Sequence, residues 1–302
     1  MDRYAPIPTP EQLERLGDDL GARLRYDYRI IGGLGGTMDV LRADEERVVL
    51  KRYWLPEPAE VNPAESEYGA LTLAATHGIP VPSPLWVDRV GLFPERAVVL
   101  SFLEGGVLLD PADPLDWASQ LATALSGIHG IDPAAADPLL FPVMGHDDGH
   151  SSEAAVRQHP LGLELWSKLK HAIDSLIPED VVYVHHDYWP GNTLWIDEKL
   201  VAVVDWEGGS IADPALDVAY CALDLRLLGM DDAADHFVGV YQEVSGRGLA
   251  NLGYWHLAAL CRPMPDIAQW VPGWRAMGFE TSSEEARQRH TELIAIALEG
   301  NR

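Results

Sequence analysis

The sequence predicts an α+β protein in which a small antiparallel sheet comes first and a mostly helical part follows. Two observations carry this prediction. Short β-rich segments separated by turn residues fill the first third of the chain, with one long helical stretch among them. After Glu104, Gly105 and Gly106, apolar residues recur at helical spacing instead. We therefore divide the chain into an N-terminal part, residues 1–104, and a C-terminal part, residues 105–302.

The N-terminal part contains five predicted strands and two predicted helices. A short helix covers residues 10–21, and a longer one covers 62–78 and ends at Gly78, before a proline-rich turn. The predicted strands lie at residues 28–34, 38–44, 47–54, 84–90 and 96–102. Because the strands are short and joined by turns or one helix, they predict a five-stranded antiparallel sheet with a helix packed on it.

The C-terminal part is predicted to be helical apart from one β-hairpin. Two short apolar strands flank the turn at residues 197–199, which is typical of a hairpin. The predicted helices lie at residues 113–130, 159–176, 215–229, 231–246, 249–262 and 284–300. This arrangement gives a second part built mainly from packed helices.

Composition excludes several classes of function. The formal net charge is −25, so nucleic acid and anionic membranes are poor partners, because phosphate contacts need clustered Lys and Arg. No apolar run is long enough to span a bilayer and no signal pattern opens the sequence, so we expect a cytoplasmic protein. We also expect a monomer or a homodimer. The acidic excess either attracts a cationic ligand or only keeps the protein soluble. Cys221 and Cys261 lie in apolar helical stretches and are predicted to be buried thiols.

One motif predicts the chemistry. It reads His185-x-Asp187-x4-Asn192, and it is followed by the hairpin and by Asp205 at the end of an apolar strand. Phosphoryl transfer needs a carboxylate that accepts the proton of an attacking hydroxyl, and Asp187 suits that role. It also needs oxygen ligands for Mg²⁺, and the hairpin brings Asp205 back beside Asn192 to supply them.

These residues resemble those of the aminoglycoside phosphotransferase family, which is related to choline and homoserine kinases and distantly to protein kinases. The family motif has Gly where this chain has His186, and its following Asp-x-Asp or Asp-x-Glu is here Asp205-Trp206-Glu207. An Asp-Pro-x-x-Asp signature ends at Asp217. The resemblance implies a bilobal protein-kinase-like fold, with His185 and Asp217 as structural support of the catalytic segment. Glu207 either approaches the metal or is a bystander.

The resemblance also assigns a nucleotide site to the N-terminal part. Lys51, which directly follows the apolar residues 48–50 of a predicted strand, corresponds to the lysine that contacts the α- and β-phosphates. Glu67 on the following helix corresponds to its acidic partner. The Ser101 carbonyl and the Leu103 amide lie where the family holds adenine. A glycine-rich turn between two strands could drape over the phosphates, and from it we select Gly33, Gly35, Gly36 and Thr37.

The implied function is transfer of the γ-phosphoryl group of ATP, or of another nucleoside triphosphate, with Mg²⁺. The acceptor would be a hydroxyl of a small molecule: an aminoglycoside, another antibiotic, or an amino-alcohol or sugar metabolite, with cationic acceptors among the candidates. The alternative is a nucleotide-binding scaffold or sensor without turnover. Inactive kinase relatives usually lose the base, the metal ligand or the lysine, and this chain keeps all three.

Overall fold

A computed structural model describes residues 4–31, 35–54, 61–145 and 151–300. The N-terminal part of the fold is a five-stranded sheet in which every neighbouring pair is antiparallel, with strand order β1-β2-β3-β5-β4. The strands are β1 Leu24–Ile30, β2 Gly36–Ala43, β3 Glu46–Tyr53, β4 Pro84–Val87 and β5 Arg96–Ser101. The predicted α+β class and its five-stranded sheet are thus confirmed.

One helix packs on each face of this sheet. Helix α1, Pro10–Leu20, is closed at its start by a capping box between Thr9 and Gln12. It buries Leu16 in a small core with Leu50 and Val99. Helix α2, Pro63–Thr76, covers the opposite face. Its buried residues include Ala70, Leu71 and Ala74, which recur at the spacing of one helix face.

The alternation of side chains along β3 decides which groups face the site. Successive side chains of a strand point to opposite faces of the sheet. Leu50 therefore enters the core under α1, while Lys51 lies on the side of α2. Arg52 returns to the α1 side, where it pairs with Asp39 at 2.6 Å.

The C-terminal part is built around helix α6, in which nearly every residue is buried. Helices α7 and α8 pack against α6, and α3 packs along α7. A helix covered on all sides is apolar all round rather than on one stripe. The helices are α3 Pro114–Ile128, α4 Glu153–Val156, α5 Gly162–Ile173, α6 Ala215–Leu227, α7 Asp231–Ser245, α8 Leu252–Cys261, α9 Val271–Ala276 and α10 Ser283–Glu299. None of the described helices is long and apolar enough to cross a membrane.

Two small antiparallel pairs of strands carry the segment between α5 and α6. Strand β6, Val182–Val184, pairs with β9, Ser210–Ala212, and strand β7, Thr193–Ile196, pairs with β8, Lys199–Val203. The turn of the β7–β8 hairpin has positive φ at both central residues, 48° at Asp197 and 59° at Glu198. That conformation matches the twist of the strands on either side.

The connection after β5 is fixed to this hairpin. Gly106 donates its amide to the Trp195 carbonyl at 3.1 Å, and the Trp195 amide returns a bond to the Gly106 carbonyl at 2.9 Å. The connection after β5 therefore contacts the C-terminal part at Gly106. The sequence predicts the boundary between the two parts just before this residue, between residues 104 and 105, and that boundary stays a prediction.

Candidate active site

The loop at residues 185–192, which the sequence predicts to be catalytic and which is called the catalytic loop below, joins β6 to β7 and is anchored on one buried carboxylate. Asp217, in the first turn of α6, accepts the His185 amide at 2.7 Å and the His186 amide at 2.8 Å. His129 Nε2 lies 3.2 Å from Oδ2 of Asp217, the oxygen that also accepts the His185 amide. Burial alone would raise the pKa of Asp217, but the hydrogen bond and charge of His129 and the contacts of His185 lower it below its ordinary value. Asp217 thus stays ionised while fully buried.

The two histidines before Asp187 have different tasks. The His185 ring is completely buried and donates its Nε2–H to the Val204 carbonyl at 3.0 Å. Burial lowers its pKa and so favours the neutral ring, which fits the structural role that the resemblance implies for it. His186 has φ of 71°, the left-handed conformation that glycine adopts readily. The histidine at the family's glycine position therefore keeps the backbone shape that glycine would give.

Asp187 is held at both carboxylate oxygens and remains half-exposed. Its Oδ2 accepts the Asn192 side-chain amide at 3.0 Å, and the same amide nitrogen also reaches the Asp187 carbonyl at 2.9 Å. Its Oδ1 accepts a guanidinium nitrogen of Arg262 at 2.8 Å. Because the Asn192 nitrogen is used in this way, the carboxamide oxygen is the atom that Asn192 can offer to a metal.

Lys51 meets three carboxylates at the centre of the site. Its Nζ lies 2.8 Å from Glu67 Oε2 and 2.8 Å from Glu207 Oε2, and it also hydrogen-bonds Asp205 Oδ1. The β7–β8 hairpin delivers Asp205, because the Val204 amide bonds the Asn192 carbonyl at 2.9 Å. The strand lysine, the helix glutamate and the carboxylate after β8 are therefore in direct contact.

These charges are not balanced. Burial raises the pKa of Glu207 to about 8, and repulsion by Asp205 adds to the effect. Burial also works against ionisation of Asp205, but attraction by Lys51 brings its pKa below the ordinary value. For Lys51, burial is outweighed by the carboxylates, which raise its pKa well above normal. Within the described part of the chain, three carboxylates thus share one ammonium.

The same carboxylates form a candidate metal-binding cluster. One oxygen from each of Glu67, Asp205 and Glu207 can be chosen so that all three lie within 4.8 Å of one another. Clustered carboxyl oxygens fit a small hard cation such as Mg²⁺. This arrangement brings Glu207 into the cluster, which the sequence left open between metal contact and bystander.

The described end of the glycine-rich turn that the sequence predicts to contact nucleotide phosphates lies beside the acid cluster. Gly35 lies near the acid cluster, since a Cβ atom there would be 3.6 Å from Glu207 Oε1. A Cβ atom at Gly36 would lie 2.4 Å from the Arg52 carbonyl oxygen, so only glycine fits at position 36. Thr37 is buried, and its hydroxyl accepts the Ala5 amide at 2.9 Å. Gly33 lies outside the described residues.

The predicted adenine contacts lie at the end of the central sheet. Ser101 is the last residue of β5, and its amide bonds the Ser83 carbonyl at 2.9 Å. Leu103 follows two residues later in the connection to the C-terminal part and is half-buried. Ser101 lies on the sheet that carries Lys51, since β3 and β5 are neighbours, and Leu103 comes just beyond the end of β5.

Sequence reasoning missed Arg262 and Asp224. Arg262 directly follows the last residue of α8, and its guanidinium group donates hydrogen bonds to Asp187 at 2.8 Å and to Asp224 at 3.2 Å. Its guanidinium carbon lies 4.1 Å from the centre of the Tyr220 ring. In the sequence, an arginine after an apolar helix is explained well enough by the helix dipole. Only the fold reveals that it reaches a residue 75 positions earlier in the chain.

The profile of the phosphotransferase enzyme family matches residues 27–255, which include both halves of the site. The chain belongs to the phosphotransferase enzyme family. The resemblance predicted from the motif is thereby confirmed. No curated protein sequence matches this phosphotransferase.

Solved structures agree with this fold. A spectinomycin phosphotransferase, APH(9)-Ia, in complex with ADP and spectinomycin has 14% identity and a TM-score of 0.65, over 98% of this chain and 99% of the other. The macrolide 2′-phosphotransferase MphH from Brachybacterium faecium has 21% identity and a TM-score of 0.56, over 97% and 99%. A variant of APH(4)-Ia with AMP-PNP and hygromycin B has 14% identity and a TM-score of 0.60, over 97% and 100%. The bilobal kinase-like fold of this phosphotransferase follows.

Proposed function

We propose that this phosphotransferase moves the γ-phosphoryl group of ATP to a hydroxyl group of a small molecule. The observation that carries the proposal is the contact of Lys51 with both Glu67 and Asp205. It joins a strand of the N-terminal sheet, helix α2 and the segment after β8 around one ammonium. Positioning of phosphates and compensation of their charge are the main tasks in phosphoryl transfer, and these groups are suited to both.

The nucleotide would lie between the sheet and the catalytic loop. Lys51 would contact the α- and β-phosphates, and Glu67 would hold the lysine in place. Gly35 and Gly36 would bring backbone amides close to the phosphates, because no side chain intervenes. The backbone of Ser101 and Leu103 would bind adenine at the end of β5. This arrangement supports ATP as the donor, in line with the ADP and AMP-PNP named for the similar structures.

The acid cluster supports a role for Mg²⁺. Asp205 and the carboxamide oxygen of Asn192 would hold the ion, with Glu207 close enough to take part. An ion held by these residues would supply positive charge that offsets the negative charge on the phosphates. Lys51 supplies one positive charge against three acidic side chains, and a bound cation would favour the ionised form of Glu207, whose pKa is otherwise raised to about 8.

Asp187 would accept the proton of the acceptor hydroxyl. The hydroxyl oxygen forms a bond to the γ-phosphorus, the bond from that phosphorus to the β–γ bridging oxygen breaks, and the proton passes to the Asp187 carboxylate. The products are ADP and a phosphorylated acceptor. The Asp187 side chain is 48% exposed, which leaves room for an acceptor beside it. Its hydrogen bonds to Asn192 and Arg262 fix its orientation.

For the acceptor we propose an antibiotic or a metabolite with an accessible hydroxyl. The similar structures are named for spectinomycin, macrolides and hygromycin B, so these compounds and further aminoglycosides form the first panel. Sugars and amino alcohols form the second. The fold alone does not select among them, because ligand choice depends on the particular side chains of the site.

The test is a transfer assay over this panel. ADP release and the mass increase of the acceptor are measured for the wild type, for Asp187→Asn and for Asp232→Asn, an exposed aspartate on α7 that serves as the control. We expect Asp187→Asn to lower kcat by about two to four orders of magnitude while ATP binding by calorimetry stays nearly unchanged. Near-normal turnover in Asp187→Asn would overturn its assignment, and an absence of transfer to any acceptor would overturn the proposed activity.

A further inference from the structure

Arg262 links two acidic residues that belong to different elements. One guanidinium nitrogen bonds Asp187 in the catalytic loop at 2.8 Å, and another bonds Asp224 on α6 at 3.2 Å. The arginine side chain is 15% exposed and Asp224 is 4% exposed. The network therefore lies at the inner wall of the site, with Asp187 as its most accessible member.

Aromatic rings restrict the guanidinium further. Its carbon lies 4.1 Å from the centre of the Tyr220 ring and 5.5 Å from the centre of the Trp270 ring. Arginine is favoured at such places because its planar group stacks on rings while its edges donate hydrogen bonds. The orientation of Arg262 is thus set by groups on α6 and before α9, independently of Asp187.

The charge balance argues against a site for an anionic acceptor. Two carboxylates, Asp187 and Asp224, already face the single positive charge of Arg262. The guanidinium charge is already matched by Asp187, so an added anion would find no unpaired positive charge in the described groups of this network. The role of Arg262 must therefore be sought in what it does to Asp187.

We propose that Arg262, held by Asp224, is a positioning residue that fixes the Asp187 carboxylate for the acceptor hydroxyl. This inference rests on the proposed function. Asn192 holds Oδ2 of Asp187 and Arg262 holds Oδ1, so the carboxylate plane is fixed from two sides. With one anchor removed, the half-exposed side chain can turn away from the acceptor. A misplacement of about 1 Å at a reacting group can cost about 100-fold in rate.

The first test separates positioning from general stability. In Arg262→Ala we expect kcat to fall by about 10- to 100-fold while KM for ATP stays within about twofold, since Arg262 has no described contact with Lys51, Glu67 or Asp205. Arg262→Lys should recover part of kcat. The control, Arg287→Ala, breaks a two-pronged ion pair with Asp266 outside the site and should leave kcat unchanged.

Guanidinium rescue and a double-mutant cycle make the test specific. Millimolar guanidinium should raise kcat of Arg262→Ala and leave Arg287→Ala unaffected. In the Asp187→Asn background, Arg262→Ala should cost little further rate, because Arg262 acts through the missing carboxylate. Full additivity of the two changes, with no rescue, would overturn the inference. An Asp224→Asn variant that loses more kcat than Arg262→Ala would also contradict it, because Asp224 acts through Arg262.

A structural readout keeps the inference testable if no acceptor is turned over. Crystal structures of the wild type and Arg262→Ala, each with Mg²⁺ and AMP-PNP, would be compared at Asp187. We expect one ordered carboxylate in the wild type and a rotated or multiply placed one in the variant. An unchanged, fully ordered Asp187 in Arg262→Ala would refute positioning by Arg262. Failure of transfer by the wild type would instead count against the proposed activity alone.

Discussion

The Nζ atom of Lys51 lies 2.8 Å from Oε2 of Glu67, with side chains only 6% and 1% exposed, and this pair ties the central strand of the sheet to helix α2. Glu67 also accepts the Tyr53 hydroxyl and, at 3.4 Å, the Trp206 amide. Burial raises the pKa of Glu67 despite its contact with Lys51. The ion pair therefore connects three segments of the nucleotide site, and its loss should be felt in both ATP use and stability.

We expect Glu67→Gln to lower kcat/KM for ATP by about tenfold or more, because Lys51 loses the group that fixes its position. The substitution should also lower the free energy of unfolding by about 1 to 2 kcal/mol, because the Tyr53 hydroxyl and the Trp206 amide lose a charged acceptor while Lys51 keeps Asp205 and Glu207. Glu65→Gln is the matched control, since Glu65 lies on the same helix at 37% exposure and faces Arg89 at 3.7 Å. Equal effects of the two substitutions would contradict the assigned pairing.

Asp205→Asn should weaken binding of ATP in the presence of Mg²⁺ and abolish turnover. The amide lacks the negative charge with which Asp205 would bind the ion. Calorimetric titrations with Mg²⁺ and with EDTA measure the metal-dependent part of the affinity. Glu207→Gln provides the comparison, because it changes a neighbouring member of the cluster. If Glu207→Gln loses the metal dependence and Asp205→Asn keeps it, Glu207 is the principal ligand.

Asp224 should make stability depend on pH. Burial raises its pKa from 3.8 to about 7, Asp187 adds to the rise, and Arg262 opposes it. Because its pKa is raised in the folded state, Asp224 makes its full contribution to the free energy of unfolding below a pH of about 4. This contribution is lost as the pH rises through about 7. The asparagine in Asp224→Asn does not titrate, so the variant does not lose stability in this way. From pH 5 to 8 it should gain on the order of 2 kcal/mol in unfolding free energy relative to the wild type.

Urea unfolding of both proteins at several pH values measures this difference. Asp235→Asn is the control, because the Asp235 side chain is 74% exposed and lies on the neighbouring helix α7. Its difference from the wild type should show no comparable trend over the same range. A difference between Asp224→Asn and the wild type that is constant from pH 5 to 8 would show that Asp224 is ionised throughout.

The net charge of −25 should affect the rate with cationic acceptors. Attraction raises kcat/KM for a polycationic aminoglycoside at low salt, and it fades as the Debye length shortens from about 30 Å at 0.01 M to about 8 Å at 0.15 M. A neutral acceptor measured at the same free Mg²⁺ should show no slope. A flat profile for the polycation would leave the acidic residues as solubilising surface.

The sheet could be predicted from sequence because its strands are apolar, β-branched and separated by turns, as in β3 and β5. The pairing of β6 with β9 could not. Each strand has three residues, too few to show an alternating pattern, and 25 residues lie between them. Helix starts were also misplaced. The stretches predicted to begin at residues 159 and 249 become helical at Gly162 and Leu252.

In the candidate site, too, some contacts could be predicted from the sequence and others could not. Asp187, Asn192 and Asp205 are close in sequence or joined by a hairpin, so their spacing alone predicts that they meet. Lys51 and Glu67 became visible only through the family resemblance, and the structure places them in contact. Arg262 has no such signal. Its contact with Asp187 depends on how α8 packs on α6, which tertiary structure decides.

Asp217 gives the catalytic loop a dynamic property that loops seldom have. The amides of His185 and His186 lie outside any helix or strand, yet both donate to this one buried carboxylate at the start of α6. Solvent can reach those amides only if the loop parts from the helix or the helix itself opens. Their protons should therefore exchange with deuterium about as slowly as those of the protein core. We therefore expect the loop that carries Asp187 to open only when its contact with helix α6 is lost.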